Sequence, residues 1–327
     1  MAGSVHFYDY HPPVADFRTE VLDGLTQSPK RISPKYFYDQ RGSELFEAIT
    51  ELPEYYPTRT ELGILQDKDK AIAEFLGDEC MLVELGSGSS RKIRTLLDAL
   101  EPAAYVPLDI SRDHLLGSAR ALAADYPDLE VHAACTDYSG DFQLPELPDH
   151  LPRVAFFPGS SIGNFEPDEA SRLLARLGRH LGEDGKLLIG VDLKKHNHIL
   201  HAAYNDAQQV TAAFNLNLLE RMNRELEADF DVELFEHQAY FNDDAGRIEM
   251  HLMSRIDQTI SVAGAQVDFT AGETLHTESS YKYSIKEFQA LAEASGFVAD
   301  EVWTDEQQLF SVHCLRCEPV REERGQI

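Results

Sequence analysis

The chain has 327 residues, 43% hydrophobic and 26% charged, which suits a globular protein of one large or two modest domains. Its 57 acidic and 29 basic residues give a formal net charge of −28, a field that repels phosphate backbones and anionic lipid, so no nucleic-acid or membrane partner is expected. No apolar run reaches the roughly 20 residues that span a bilayer, and the opening MAGSVHFYDYHPPVADF lacks the basic and apolar parts of a signal peptide. A cytoplasmic protein is expected. Residues 1–57 read as irregular structure with short helices, including the amphipathic GSELFEAITEL. Strand candidates then follow at MLVELG (81–86), AAYVPLDI (103–110), EVHAACTD (130–137), RVAFFPGS (153–160) and GKLLIGVDL (185–193). Helical patterns separate them at RKIRTLLDAL, RDHLLGSARALAADYP and PDEASRLLARLGRHL, the last with an acidic first turn. Apolar strands alternating with amphipathic helices imply a parallel sheet covered on both faces. After residue 195 come a largely helical stretch, HNHILHAAYNDAQQVTAAFNLNLLERMNREL, and then alternating strands with turn signals, a helical and antiparallel insert. The helix SIKEFQALAEASGF and strands around VADEVWT and LFSVHCL return to α/β, with a hairpin turn at Thr304-Asp305-Glu306. A parallel sheet closed by an antiparallel hairpin is the class I, Rossmann-like methyltransferase plan. Cys314 and Cys317 form a C-x-x-C without a second ligand pair, so no metal is expected there.

The loop after the first of these strands, VELGSGSSRK, is rich in glycine between strand and helix. A P-loop fails, because the G-K-[ST] end is absent. A dinucleotide fingerprint needs a third glycine where Arg91 stands. An S-adenosylmethionine (SAM) loop needs only an acid near the strand end and two glycines, and Glu84, Gly86 and Gly88 satisfy it. The next strand ends in Asp109, about 20 residues on, where a carboxylate receives ribose hydroxyls. The third ends in Asp137, placed for an adenine amino group.

Several longer stretches carry a family resemblance: KYFYDQRGSELFEAITELPEYYPTRTE, VELGSGSSRK, RVAFFPGSSIGNFEP, AYNDAQQVTAAFNLNLLERMNREL, and RIEMHL followed by TESSYKYS. Across about residues 5–317 the chain resembles the SAM-dependent L-histidine Nα-methyltransferases of ergothioneine biosynthesis. The resemblance implies three methyl transfers to the α-amine of L-histidine, giving hercynine, with SAM as methyl donor. It implies a SAM-binding domain over 58–195 and 286–327, and a substrate-binding domain over 1–57 and 196–285, in a monomer. By the same resemblance Gly86, Lys92, Asp109, Asp137 and Tyr138 contact SAM, and Tyr38 and Gly159 lie at the reacting amine. Tyr55, Asn164, Tyr204, Met250, Glu278 and Ser280 bind substrate: Asn164 and Tyr204 as neutral donors to the carboxylate, Glu278 and Ser280 at the imidazole. Taken singly these residues have plainer readings. Glu278 alone is more naturally a solvated strand residue, Asn164 a turn residue, Tyr204 and Met250 core. Competing functions are an N-methyltransferase of another amine such as a tryptophan derivative, a nucleic-acid methyltransferase, and a non-catalytic SAM-binding regulator. An apolar residue at 278 would favour indole, a basic groove nucleic acid, and a missing acceptor pocket the regulator.

Overall fold

A computed structural model describes residues 4–10, 15–88, 91–146 and 151–318. Ser89 and Ser90 of the glycine loop lie outside the described residues. So do 1–3, 11–14, 147–150 and 319–327, which include both ends of the expected domain assignments. The first strands are β1 (Val5–Asp9), β2 (Lys30–Arg31), β3 (Met81–Leu85), β4 (Ala104–Asp109) and β5 (Glu130–Cys135). They are followed by β6 (Arg153–Phe157), β7 (Lys186–Asp192), β8 (Phe235–Asn242), β9 (Arg247–Ser254) and β10 (Gln258–Val262). Last come β11 (Ala265–Phe269), β12 (Thr274–Tyr281), β13 (Phe297–Thr304) and β14 (Phe310–Cys317).

Eight strands form one sheet in the order β1-β5-β4-β3-β6-β7-β14-β13, parallel as far as β7, with β14 antiparallel to both of its neighbours. This is the class I methyltransferase sheet with one added edge strand. All of Met81–Leu85 is buried, because helices cover both faces. Leu82, Val154, Leu188 and Val312 share one apolar layer with Leu65, Leu76, Ile93, Leu97 and Leu115. Val83, Ala155, Leu187 and Ile189 share the other with Leu173, Leu177, Phe288 and Ala292. In the helix Arg91–Leu100 the buried residues are Ile93, Leu96, Leu97 and Leu100, one stripe at helical spacing. Each contributes about 1.5–3 kcal/mol by leaving water. The helix Ile285–Ala294 begins at a Ser284–Glu287 capping box, which supplies partners to backbone N–H groups left over in its first turn. The β13–β14 turn is organised by the Asp305 carboxylate, which accepts the N–H groups of Gln307, Leu309 and Phe310 at 2.7–2.9 Å. Cys314 belongs to one apolar layer and Cys317 to the other, so the two thiols cannot share an ion; all four cysteines are buried and none forms a disulfide.

A second sheet, β2-β12-β9-β8, and a small β10–β11 hairpin make the other half. One apolar core joins Phe17, Phe37 and Ile49 from the N-terminal segment to Leu200, Phe214, Leu252 and Phe269 from the insert. Two expectations need correction. Residues 5–9 are not irregular and do not belong with the substrate half: they pair in parallel with β5 and extend the main sheet. The five-residue VHFYD is half-exposed and carries no clean period, so only the free edge of β5 reveals its partner. The expected boundary at 57/58 falls inside the helix Tyr56–Asp67, whose Ile64 and Leu65 pack into the main sheet's layer. No helix among the described residues is long and apolar enough to cross a membrane.

Candidate active site

The strand order reverses between β3 and β6, and at such a switch point the carboxyl ends of the strands leave a crevice. A cavity of about 580 Å³ opens there. Of the residues expected at SAM, Gly86, Lys92, Asp109, Asp137 and Tyr138 all line it. Gly86 has φ +70°, and a Cβ on it would stand 3.0 Å from the Tyr138 hydroxyl, so the backbone approach there is reserved for glycine. The Asp109 carboxylate accepts Ser111 N–H at 2.8 Å and Gly88 N–H at 3.2 Å, which aims it across the glycine loop. Burial raises its pKa, opposed by those backbone bonds. A desolvated carboxylate held open beside a glycine loop fits a ribose diol.

Asp137 is already partnered within the chain. Its carboxylate pairs with Lys35 at 2.9 Å and accepts Ser139 N–H at 2.9 Å. Burial alone would raise its pKa, but Ser139 and Lys35 outweigh this and hold it below the usual range. Glu84 is buried against the Tyr105 hydroxyl, and burial pushes its pKa up to about 8. Lys92 is paired at 2.6 Å with Glu61, a fully buried residue whose carboxylate also accepts Gly159 N–H at 2.9 and 3.1 Å. Sequence reading missed Glu61, because an acid within a helical run looks solvent-facing. The space it fills exists because residue 190 is glycine: a Cβ there would stand 2.1 Å from Glu61 Oε1.

A smaller cavity continues inward from the first. Tyr38, Tyr55, Gly159 and Asn164 line both; Tyr204, Met250, Glu278 and Ser280 line only the inner one. Thus the thirteen residues singled out above all meet one continuous crevice. Tyr38 packs edge-on against Phe46 (5.7 Å between centroids) and Phe214 (5.8 Å), and Phe46 against Tyr55 (6.3 Å), an aromatic collar where the cavities join. Glu278 stands opposite Met250 across β12 and β9. A bulge between His276 and Glu278 decides this facing. Simple alternation would place those two on one side, but the extra residue, Thr277, sends Glu278 and Ser280 into the pocket while His276 pairs with His251 on the other side. Glu278 is 7% exposed, and burial raises its pKa to about 7 against the pull of Lys282.

Strand order and loop chemistry together define the class: this is a class I, SAM-dependent methyltransferase, with a smaller polar cavity adjoining the crevice at the strand ends. Residues 17–317 match the family described as histidine-specific, SAM-dependent methyltransferases, and the chain belongs to that family. It is 44% identical over 294 residues to the histidine N-alpha-methyltransferase of Mycolicibacterium smegmatis, covering 88% of this chain and 91% of that one. It is 31% identical to ergothioneine biosynthesis protein 1 of Neurospora crassa over 84% of this chain and 32% of that protein. A 4-dimethylallyltryptophan N-methyltransferase of Claviceps purpurea is 26% identical, over 90% and 95% of the two chains.

Proposed function

We propose that this chain transfers three methyl groups from SAM to the α-amine of L-histidine, giving hercynine, the first step toward ergothioneine. The observation that carries the reading is the inner cavity. It is lined by a buried carboxyl group and a hydroxyl, Glu278 and Ser280, and shares Tyr38 and Gly159 with the larger cavity. A substrate with an imidazole at one end and an amine at the other suits that polarity.

When bound, SAM supplies an electrophilic methyl on a sulfonium. The chain's part is then mainly positioning, since an in-line displacement needs a neutral amine about 3 Å from that carbon with its lone pair aligned. The α-amine is largely protonated at neutral pH and must release its proton before each transfer. Burial, then Glu278, raise the Tyr38 phenol well above its ordinary pKa, so it serves as a neutral hydrogen-bonding group and not as a phenolate base. Glu61, by fixing Gly159 N–H and Lys92, sets the backbone at the mouth. Asn164 is the neutral donor offered to the substrate carboxylate, while Tyr204, whose hydroxyl hydrogen goes to Ser280 Oγ, lines the pocket beside it. The aromatic collar tolerates a nitrogen that grows into a cation, at roughly 0.5–2 kcal/mol per favourable face. We further infer a monomer acting in the cytoplasm, a reducing compartment that suits four thiols outside any disulfide.

The test is mass spectrometry of the purified protein with SAM and each of the twenty amino acids, followed by proton NMR of the product. A trimethylammonium singlet with an unmodified ring is expected from histidine. A ring N-methyl signal, arrest at the monomethyl stage with SAM in excess, or preference for another amino acid refutes the reading.

A further inference from the structure

Behind Ser280 lies a charge that neutral-donor reasoning did not anticipate. Lys282 is 2% exposed and lies two residues beyond Ser280 on the same chain face. Its ammonium reaches Asp192 Oδ2 at 2.7 Å, Ser280 Oγ at 2.8 Å and the Tyr204 hydroxyl at 3.1 Å. An ammonium has three N–H donors and no acceptor, so its capacity is filled. Asp192 is itself held by the Tyr56 hydroxyl at 2.7 Å and by Lys195, which fixes the ammonium in place. The Tyr204 hydroxyl, having accepted from Lys282, donates its own hydrogen to Ser280 Oγ at 2.8 Å. Ser280 Oγ therefore accepts two hydrogen bonds. Both its lone pairs are used, and all it can offer the pocket is its hydrogen.

Resting on the histidine reading above, we infer that Lys282 is a positioning residue that makes Ser280 an obligate donor, so that the pocket takes the substrate's imidazole as the neutral ring. One ring nitrogen gives its N–H to Glu278, and the bare nitrogen accepts from Ser280. An imidazolium has an N–H at both positions. It would set one of them against the Ser280 hydrogen, with the Lys282 cation behind it, and leave a buried donor without a partner. The charged groups facing the ring site are Glu278 from β12 and the Lys282–Asp192–Lys195 cluster behind it; Tyr38, Tyr55 and Tyr204 meet it as neutral phenols.

The direct test uses the unaltered protein. L-histidine labelled with ¹⁵N in the ring is bound at pH 6 together with S-adenosylhomocysteine, where much of the free ring is protonated. One protonated and one bare ring nitrogen are expected in the complex. Two protonated nitrogens overturn the inference while leaving histidine as the substrate; the absence of any bound ring signal overturns the substrate assignment on which it rests. The second arm is a double-mutant cycle. Lys282→Met is expected to lower kcat/KM for histidine at least tenfold, carried by KM, with S-adenosylhomocysteine affinity within twofold of the unaltered protein. Ser280→Ala should cost a similar factor alone but less than threefold more in the Lys282→Met background, because the hydroxyl is no longer aimed. Multiplying losses would mean that Lys282 acts on the fold and not through Ser280. If Lys282→Met does not fold, the ring spectrum decides alone.

Discussion

Glu278→Gln separates what this residue does for the substrate from what it costs the fold. The carboxyl group is 7% exposed and its pKa rises from 4.5 to about 7, with burial as the cause and Lys282 opposing. The folded value lies above the unfolded one, so the folded protein holds the proton to higher pH. Stability attached to this group is therefore complete below about pH 4.5 and declines as pH rises through 7. The difference of roughly 2.5 units, at about 1.36 kcal/mol each, sets an upper bound of about 3 kcal/mol on that loss. Glutamine keeps the shape and never ionises. The variant should melt several degrees higher than the parent at pH 8 and at the same temperature at pH 4.5, read by calorimetry without substrate. Histidine turnover should move the other way. Replacing a charged acceptor for a ring N–H costs about 1.5–3 kcal/mol, or 10- to 150-fold in kcat/KM at pH 8, while any turnover of phenylalanine is spared. Equal melting shifts at both pH values would refute the buried-charge argument. Equal losses on histidine and phenylalanine would refute the ring contact.

Asp109→Ala should weaken S-adenosylhomocysteine binding about 10- to 100-fold, since charged acceptors for the ribose are lost; unchanged titration calorimetry would sink that placement. Gly190→Ala should lower stability by about 1–3 kcal/mol and reduce turnover, because its Cβ would stand 2.1 Å from the Glu61 carboxylate that holds Lys92 and Gly159; an unchanged melting temperature would contradict this. In the parent, kcat/KM for histidine should rise from pH 6 to pH 8 as Glu278, with its pKa at about 7, ionises. Glu278→Gln should rise less steeply over that range, keeping only the part that comes from the substrate's own amine and ring. Cys314→Ser should leave turnover within twofold, since the C-x-x-C thiols face opposite layers and neither lines the crevice.

The sequence by itself determined the class of the fold and which residues of the strand ends line the outer cavity. Periodicity marked five buried parallel strands and their covering helices because each element's own residues carry the pattern. The two glycines, Asp109 and the closing hairpin at Asp305 were legible for the same reason: each follows from backbone chemistry within a few residues. Long motifs pointed to residues that line the inner cavity, though not one of them announces itself alone. Tertiary structure decided what depends on partners distant in the chain. VHFYD became a sheet strand only because β5 offered a free edge. Glu61 became the anchor for Lys92 and Gly159 because Gly190, far along the chain, leaves it room. The bulge at Thr277 reversed the facing of Glu278 and Ser280, which counting by twos assigns to the wrong side of the strand relative to His276. Lys282 reads in sequence as an ordinary surface lysine. It is a buried ammonium only because Asp192, Tyr204 and Ser280, brought together from β7, a helix and β12, supply an acceptor for each of its three hydrogens.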